Sequence, residues 1–472
     1  METTSQGAIP ERIDRLPVGW TTYRIMLLAG IAWFIESYDI GIIGNVLPSL
    51  KKVYHIGAFD TGLIAAASTI GIVVSVIPFG WIADRIGRKK VLIIGTAWYA
   101  ILSFAAGFGG SPIAIVILRF LAGLGMGAVF PVPYAMASEY MPRKFRGAMT
   151  GILDSFLSLG YFIAPLIAFA TVPSLSPDLG WRVLFYVGGL PLLYVPVLMI
   201  WMPESARWLQ VKGRNDEAER IVRGLEVEVE RRTQRPLPPV QAEAAVVVSE
   251  HTVPVSMIFS PAYLKRTIMM WIAFPCILFV FYALQVYTPT VLVKQGYAIG
   301  DVFLMTALIV VVSIPGKYFE AYCVERFGRK GTIVWFTVVA AAGAVVFGFS
   351  HNASMAIAFG MVMSFFGIGV DPAIKIYGAE QYPTRVRETG VGFIEGVGRL
   401  FGGALAPFIM AFMIGGGLPR AYVFVAVVAI IGALAVLFLG SETKGSILET
   451  VSEAQPDRPS LVTRGSARPS AS

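Results

Sequence analysis

The 472-residue chain is poor in charge, cysteine and histidine. Only 14% of its residues are charged, whereas soluble proteins carry about 25%. Its two cysteines, Cys276 and Cys323, both stand in apolar runs, which excludes a disulfide framework. Its three histidines fall in predicted loops, and neither a nucleotide-binding loop nor a nucleophile–base spacing is evident. We therefore expect no metal, no cofactor and no enzymatic activity.

Apolar runs are abundant instead, since 56% of the residues are hydrophobic. Runs of about 20 residues can each cross a hydrocarbon core of about 30 Å as a helix. Residues 1–20 are polar, so we expect no cleavable signal peptide. The sequence predicts an all-α membrane protein with twelve spans, at 22–47, 61–83, 91–110, 112–138, 147–172, 182–202, 267–292, 301–321, 331–350, 353–376, 389–415 and 419–440.

The spans form two sets of six, predicting bundles at 21–202 and 266–440. Between them, residues 203–265 form a polar central segment, with a surface helix expected over Ala206–Arg232 and an irregular Pro-rich stretch after it. Lys and Arg number 22 in the loops of one side and five in those of the other. This bias predicts that the tails 1–20 and 441–472 and the central segment face the cytoplasm of a plasma membrane. It also explains the net charge of +8 without nucleic acid.

The two sets repeat each other at a constant shift of 241 residues. Asp84-Arg-Ile-Gly-Arg-Lys matches Glu325-Arg-Phe-Gly-Arg-Lys. The segments that begin at Glu139 and Gly151 match those at Glu380 and Gly392 at the same shift. Three anchors at one shift indicate a duplicated six-helix unit. Parallel halves of this kind place the substrate site between them, near the midplane, and permit alternating access by rocking.

These segments resemble the major facilitator superfamily over essentially residues 20–450. The loop that follows Gly80, with Asp84 and Arg88, is similar to the family's loop between helices 2 and 3, and Arg119 with Gly123 and Gly127 to its helix 4. The stretches at 203–208 and 442–445 resemble sugar porters and their organic-ion relatives. The resemblance implies two pseudo-symmetric six-helix bundles, the major facilitator fold.

Within the superfamily, the seventh span is more similar to aromatic-acid and nicotinate-type proton symporters. It carries one glutamine, Gln285, where sugar porters have a Gln-Gln pair and an asparagine. Tyr38-Asp39-Ile-Gly41 and Gly398-Arg399 also resemble the symporters. The Gly–Pro spacing of antiporters is not evident in the fifth span. This resemblance favours import by proton symport over exchange.

Nine charged residues inside the predicted spans are candidates for function, since a charge there costs about 2.5–3.5 kcal/mol on insertion scales. One surplus acid among them could be neutralised by a proton. Glu36 and Asp39 are three residues apart, share a helix face and are the candidate proton carriers. Glu36 could instead face a vestibule or pair structurally, and Arg119 could serve coupling or simple pairing. The nine are Glu36, Asp39, Asp154, Asp371, Glu395, Arg119, Lys317, Lys375 and Arg399.

Arg399 is the candidate carboxylate binder, because a guanidinium near the midplane suits a carboxylate. Glu395, four residues earlier, could simply hold it as an ion pair. Asp371 and Lys375 are expected to pair internally, and Lys317 could snorkel to the interface. Further substrate-binding candidates, any of which could only pack, are Asp154, Tyr38, Tyr161, Tyr282, Gln285 and Tyr287.

A last set of charges lies at the cytoplasmic helix ends. In the resembling families such residues form ion-pair networks that close the inner gate. A network that joins two halves can bias a two-state equilibrium even though exposed pairs are individually weak. The set comprises Asp84, Arg88, Glu139, Arg146, Glu325, Arg329, Glu380 and Arg387.

The sequence therefore predicts a monomeric carrier that couples protons to a small organic solute, an organic or aromatic acid. Two alternatives remain open at this point: a sugar–proton symporter and a sensor that binds solute without transporting it. The short tail and the seventh span argue against them.

Overall fold

The computed structural model describes residues 9–142, 146–240, 255–382 and 384–444. Within them, twelve helical stretches are long and apolar enough to cross a membrane, and the predicted twelve spans are confirmed. We number them spans 1 to 12, and call spans 1–6 the first half and spans 7–12 the second half. They run Trp20–Tyr54, Ala58–Ile86, Arg88–Ala106, Pro112–Glu139, Gly151–Thr171, Pro177–Trp201, Tyr263–Lys294, Ile299–Phe327, Arg329–Gly348, Ala353–Glu380, Gly390–Gly415 and Leu418–Leu439.

Several spans that the sequence predicts as single helices are interrupted. Span 4 divides into Pro112–Val129 and Val132–Glu139, and span 10 into Ala353–Gly367 and Asp371–Glu380. Pro131 and Pro372 stand at these breaks, 241 residues apart. Proline lacks an N–H and clashes with the preceding turn, so it ends the first segment in both halves. Span 6 is likewise divided into Pro177–Val187 and Pro191–Trp201, and span 8 into Ile299–Val311 and Ser313–Phe327.

Span 11 contains a rarer irregularity. After the helix Thr384–Gly398, residues Arg399–Ala404 form a π-helical turn, and the α-helix resumes as Leu405–Gly415. Side chains built at Gly398 and Gly402 would come within 2.2 Å of the Phe274 ring and 2.4 Å of the Pro275 carbonyl, both on span 7. The wider turn and the two glycines let span 11 approach span 7 closely. π-turns of this kind are frequent at functional sites.

Between residues 203 and 240, the central segment forms two helices, Ala206–Val211 and Asn215–Thr233. The sequence predicts a surface helix over Ala206–Arg232, and most of this range is helical, but the chain turns between the two helices at Gly213, whose φ is +71°. Residues 241–245 of the expected irregular stretch and the tail beyond 444 lie outside the described residues. We call the end of the bundle that carries these helices the central-segment face.

The N-terminal tail contains a short helix, Ile9–Asp14, which the sequence analysis does not predict. Arg12 and Arg15 of this region both contact Glu226 on the central helix, at 2.6 and 2.7 Å. Arg12 and Glu226 are buried. The arginines hold the pKa of the Glu226 carboxyl below its usual range, although burial alone would raise it. This cluster fixes the start of the chain to the central segment.

Candidate functional site

Glycines bring the helices of the first half together around an ion pair. A side chain at Gly123 would lie 2.1 Å from the Ser68 carbonyl oxygen, and one at Gly127 would lie 2.0 Å from the Ser75 hydroxyl. Only glycine therefore allows span 4 to approach span 2 this closely. Arg119 is four residues before Gly123, on the same face of span 4, and this approach directs it into the bundle.

Arg119 and Asp39 form a completely buried ion pair. Arg119 Nη1 lies 2.6 Å from Asp39 Oδ2, and Nη2 donates to the Asp39 carbonyl oxygen at 3.0 Å. The Ser103 hydroxyl donates to Asp39 Oδ1, and the Phe185 ring lies 5.7 Å from the guanidinium carbon. Both charged side chains are 0% exposed. The predicted coupling residues are thus brought together, with both charges compensated.

Glu36 is also fully buried, but it is uncompensated. Neither of its carboxylate oxygens accepts a hydrogen bond from the described residues. Its charge interacts with Asp39 and, from the second half, with Arg399. A lone carboxylate in this environment is costly when ionised, because burial removes its water without supplying a donor. Among the described residues, Asp39 thus has a cationic partner within hydrogen-bond distance, whereas Glu36 has none.

Arg399 reaches from the π-turn of span 11 toward the first half. Its guanidinium carbon lies 3.7 Å from the centre of the Phe130 ring, and Nε lies 3.2 Å from Glu395 Oε2. The ion pair with Glu395, which the sequence leaves open as an alternative to a substrate role, is present. The arginine also interacts electrostatically with Glu36, Tyr161 and Tyr282. Because Phe130 stands at the break in span 4, the interruption of that helix places a ring face opposite the charge.

Aromatic and amide side chains complete this group. Tyr161 packs edge-on to Phe281 at 5.3 Å between ring centres, and Phe281 packs on Tyr282 at 5.2 Å. A side chain at Gly41 would meet both Tyr161, at 3.2 Å, and Gln285, at 3.6 Å, so these two share one patch of span 1. The Oε1 of Gln285 is buried and without a hydrogen-bond partner in the described chain. We call Glu36, Tyr161, Tyr282, Gln285, Glu395 and Arg399 the central cluster.

Three predicted substrate-binding residues lie apart from the central cluster. The Tyr38 hydroxyl donates to the Leu184 carbonyl at 3.1 Å, within the first half. The Tyr287 hydroxyl donates to the Pro407 carbonyl at 2.5 Å, within the second. Asp154 is bound to Lys317. Lys317 is only 4% exposed, so the expectation that it snorkels to the interface is wrong.

The predicted pair of Asp371 and Lys375 is confirmed at 2.5 Å. A further buried acid, Glu320, was missed by the sequence analysis although it lies within the predicted span 301–321. The sequence does indicate Glu320, because it stands three residues after Lys317, on the same helix face. With it, the candidate charges become six acids and four bases.

The predicted gate residues form equivalent contacts in the two halves. Arg88 binds Glu139, whose other oxygen accepts from Ser205 at 2.5 Å. At the same positions of the second half, Arg329 lies 3.3 Å from Glu380, which accepts from Thr443 at 2.5 Å. Each of these pairs lies within one half.

In each half, a second glutamate accepts hydrogen bonds from the backbone at the start of span 3 or span 9. Glu204 accepts from the backbone N–H of Lys89, and Glu442 accepts from those of Arg329 and Lys330. These backbone N–H groups hold the pKa of the Glu442 carboxyl below its usual range, against the effect of burial. Asp84 and Glu325 are exposed, although Glu325 lies 3.9 Å from Arg329. The side chains of Arg146 and Arg387 lie outside the described residues.

Twelve helices in two six-helix bundles, with charged side chains buried between them, define a membrane transporter of the major facilitator type. The chain belongs to the sugar (and other) transporter family, whose model matches residues 25–454. It is therefore a multi-pass membrane transporter and not an enzyme.

The chain is also similar to individual transporters. The chain is 31% identical to the niacin transporter NiaP of Acinetobacter baylyi, over 93% of this chain and 98% of that one. It is 26% identical to a gallate transporter of Pseudomonas putida, over 92% and 95%. The xylose transporter XylE from E. coli, in a partially occluded inward open conformation, has the same fold, with a TM-score of 0.74 at 16% identity and coverage of 90% and 99%.

Proposed function

We propose that this chain imports an aromatic carboxylic acid by proton symport, with the central cluster exposed alternately to the two faces of the membrane. The observation that carries the proposal is the arrangement around Arg399: a buried guanidinium against the Phe130 ring, with Tyr161 and Tyr282 beside it. A guanidinium binds a carboxylate through two parallel hydrogen bonds. Aromatic side chains are suited to a flat ring. Niacin and gallate, named for the relatives, are acids of this shape.

The charges of the cluster support coupling to a proton. Arg399 already faces two carboxylates, Glu395 at 3.2 Å and the unpaired Glu36. An anionic substrate would add a third negative charge around one positive charge. A proton on Glu36 removes one of them, so the substrate anion and the proton bind more favourably together than either does alone. Because one proton accompanies one monoanion, the transported charge is zero.

The same proposal assigns orientation and assembly. The excess of Lys and Arg on one side supports cytoplasmic tails, a cytoplasmic central segment and insertion in the plasma membrane. The division into bundles at 21–202 and 266–440 around a central segment at 203–265 supports rocking of the two halves. We propose a monomer, because both faces of the substrate site come from one chain.

Uptake into proteoliposomes tests the function. Labelled benzoate, nicotinate, a hexose and an organic cation are offered with and without an imposed pH gradient, acid outside. We expect accumulation of the two acids with the gradient and its loss with a protonophore. A potassium diffusion potential should leave acid uptake unchanged, because the cycle is electroneutral. Glu36→Gln should abolish gradient-driven accumulation but retain exchange of labelled for unlabelled acid, and the wild type in parallel liposomes is the matched control.

Two results would overturn the proposal. Uptake of the hexose alone would reject an acid as substrate. Exchange that proceeds at an unchanged rate, with no accumulation under a pH gradient, would reject symport. Binding of an acid without any uptake would favour a sensor.

A further inference from the structure

A second group of charges, distinct from the central cluster, joins the two halves directly. Lys317 of span 8 binds the Asp154 carboxylate of span 5 and also donates to the Asp154 carbonyl oxygen at 3.1 Å. Both residues are 4% exposed. Lys375 of span 10 lies 2.5 Å from Asp371 and 3.9 Å from Asp154. Each lysine of this group therefore has a carboxylate partner.

One acid in the group lacks such a partner. Glu320 is 2% exposed, and its buried Oε1 accepts no hydrogen bond from the described residues. Asp154, Asp371, Lys317 and Arg329 act on its carboxyl. With Glu320 ionised, three carboxylates share two lysines. A proton on Glu320 makes the group neutral, which a dry interface between helices favours.

Of the helices packed on span 8, spans 5, 9 and 10 contribute the charged groups that act on Glu320, and span 7 contributes none of them. Span 5 contributes Asp154, and span 10 contributes Asp371 with Lys375. Span 9 contributes Arg329, which is bound to Glu380. The helix Ala353–Gly367 of span 10 has no charged residue, and the nearby Cys323 is a free thiol.

Lys317 has an alternative partner on its own helix. Lys317 and Glu320 are three residues apart, so they project from one face of span 8. While Lys317 bridges to Asp154, it is withheld from Glu320. If spans 5 and 8 separate, Lys317 loses Asp154, and Glu320 becomes the nearest carboxylate that it can reach without crossing the interface.

We propose that Glu320 is a second proton-binding site: it holds a proton while Lys317 bridges to Asp154, and releases it when the bridge breaks and Lys317 turns to Glu320. Glu320 is seven residues from Phe327 at the central-segment face, about 10 Å along the helix. The released proton passes to water at that face as the halves part there, and Asp154 is hydrated by the same opening.

The proposal fixes the sign of a pH dependence. The bridged state binds one proton more than the separated state, so acid conditions favour the bridged state. A single proton changes the ratio of the two states by at most about tenfold per pH unit. The inference rests on the proposed movement of the halves but not on the identity of the substrate.

Distance measurements on the substrate-free protein test it. Spin labels are placed at Lys90→Cys and Gly331→Cys, equivalent positions of the two halves, after Cys276→Ala and Cys323→Ala. A side chain at Gly331 meets nothing within 4 Å, and Lys90 is exposed. Pulsed EPR in nanodiscs between pH 5 and 9 then reports the fraction of molecules with the shorter distance.

We expect that fraction to rise as the pH falls, and to stay high at every pH in Glu320→Gln. Lys317→Met should lower it at every pH and remove the pH response. Asp301→Asn is the matched control, because Asp301 is an exposed acid at the opposite end of the same span, and it should keep the unsubstituted midpoint. A Glu320→Gln variant with that same midpoint, or distances that never change with pH, would overturn the proposal.

If Glu320→Gln is not recovered folded, Glu320→Asp decides, since an unchanged midpoint there also refutes the role of this carboxyl. Uptake of acid can fail while the pH response persists, so this proposal and the proposed function fail separately.

Discussion

Removing the charge of Asp39 should destabilise the protein more than any comparable change of a surface acid. In Asp39→Asn, the Arg119 guanidinium remains 0% exposed but loses its counter-charge. The aspartate also has two acceptors in use, one for Arg119 and one for Ser103. Asparagine offers only one side-chain oxygen and turns an N–H₂ group toward a donor. Both the charge and one hydrogen bond are lost.

The expected magnitude follows from burial. Removing one partner of a buried pair costs about 3–5 kcal/mol, mostly because the other charge is left uncompensated. Removing both partners costs less than the sum of the single changes. The double variant Asp39→Asn/Arg119→Gln should therefore recover at least about 2 kcal/mol relative to additivity.

The assay is unfolding in mixed micelles, followed by tryptophan fluorescence, for the wild type, the two single variants and the double variant. Asp178→Asn is the matched control, because Asp178 forms an i,i+4 pair with Arg182 at 3.0 Å but is 59% exposed. Exposed pairs contribute about 0–1 kcal/mol, so this change should be nearly silent. Equal losses in Asp39→Asn and Asp178→Asn, or a double variant that equals the sum of the singles, would refute the reasoning.

Three further changes have defined outcomes. Arg399→Lys keeps the charge but loses the planar pair of N–H donors that binds a carboxylate. The kcat/KM of acid uptake should fall at least tenfold while thermal stability changes little, and unchanged kinetics would reject Arg399 as the carboxylate ligand. Arginines lower the pKa of Glu226 in the folded state, so its contribution to holding the N-terminal helix is present at neutral pH and lost as the pH falls through that lowered value. Glu226→Gln should therefore make hydrogen exchange of residues 9–16 fast at neutral pH, and equal protection in wild type and variant would contradict this. A side chain at Gly44 would lie 2.7 Å from the Val286 carbonyl, whereas one at Gly151 meets nothing; Gly44→Ala should slow transport severalfold and Gly151→Ala should not.

Much of the architecture is readable from the sequence because the bilayer imposes it. A helix that satisfies its own backbone needs about 20 apolar residues to cross, so much shorter apolar segments are excluded. The breaks within spans are less readable. Pro131 and Pro372 interrupt their spans, yet Pro48, Pro78 and Pro165 lie inside continuous helices. Neighbouring helices decide which proline breaks a span, and a single sequence does not give them.

The candidate site is partly readable for the same reason. Charged residues at membrane depth are costly, so Glu36, Asp39, Arg119 and Arg399 could be selected before their contacts were known. Tyrosines carry no such penalty. Tyr161 and Tyr38 are indistinguishable by type, but only Tyr161 lies in the central cluster, because Tyr38 is turned toward the Leu184 carbonyl. The two tyrosines differ because each helix is rotated differently about its own axis. The sequence does not determine that rotation, since apolar spans have little amphipathicity.

The contrast between repeated and unrepeated charges indicates where the halves move. The repeated residues, such as Arg88 with Glu139 and Arg329 with Glu380, are bonded within their own half. Pairs of this kind hold each half rigid and cannot by themselves join one half to the other. Lys317, by contrast, has an apolar residue at the equivalent position, Val76.

Two contacts that cross between the halves each involve an unrepeated charge. Lys317 reaches Asp154, and Arg399, whose equivalent is Ser158, reaches Phe130. If rigid halves rock against each other, only crossing contacts change between states, so the energy that protons and substrate supply must act there. In the proposed mechanism, duplication accounts for the two rigid bodies, and the later divergence of their facing surfaces accounts for the coupling between them.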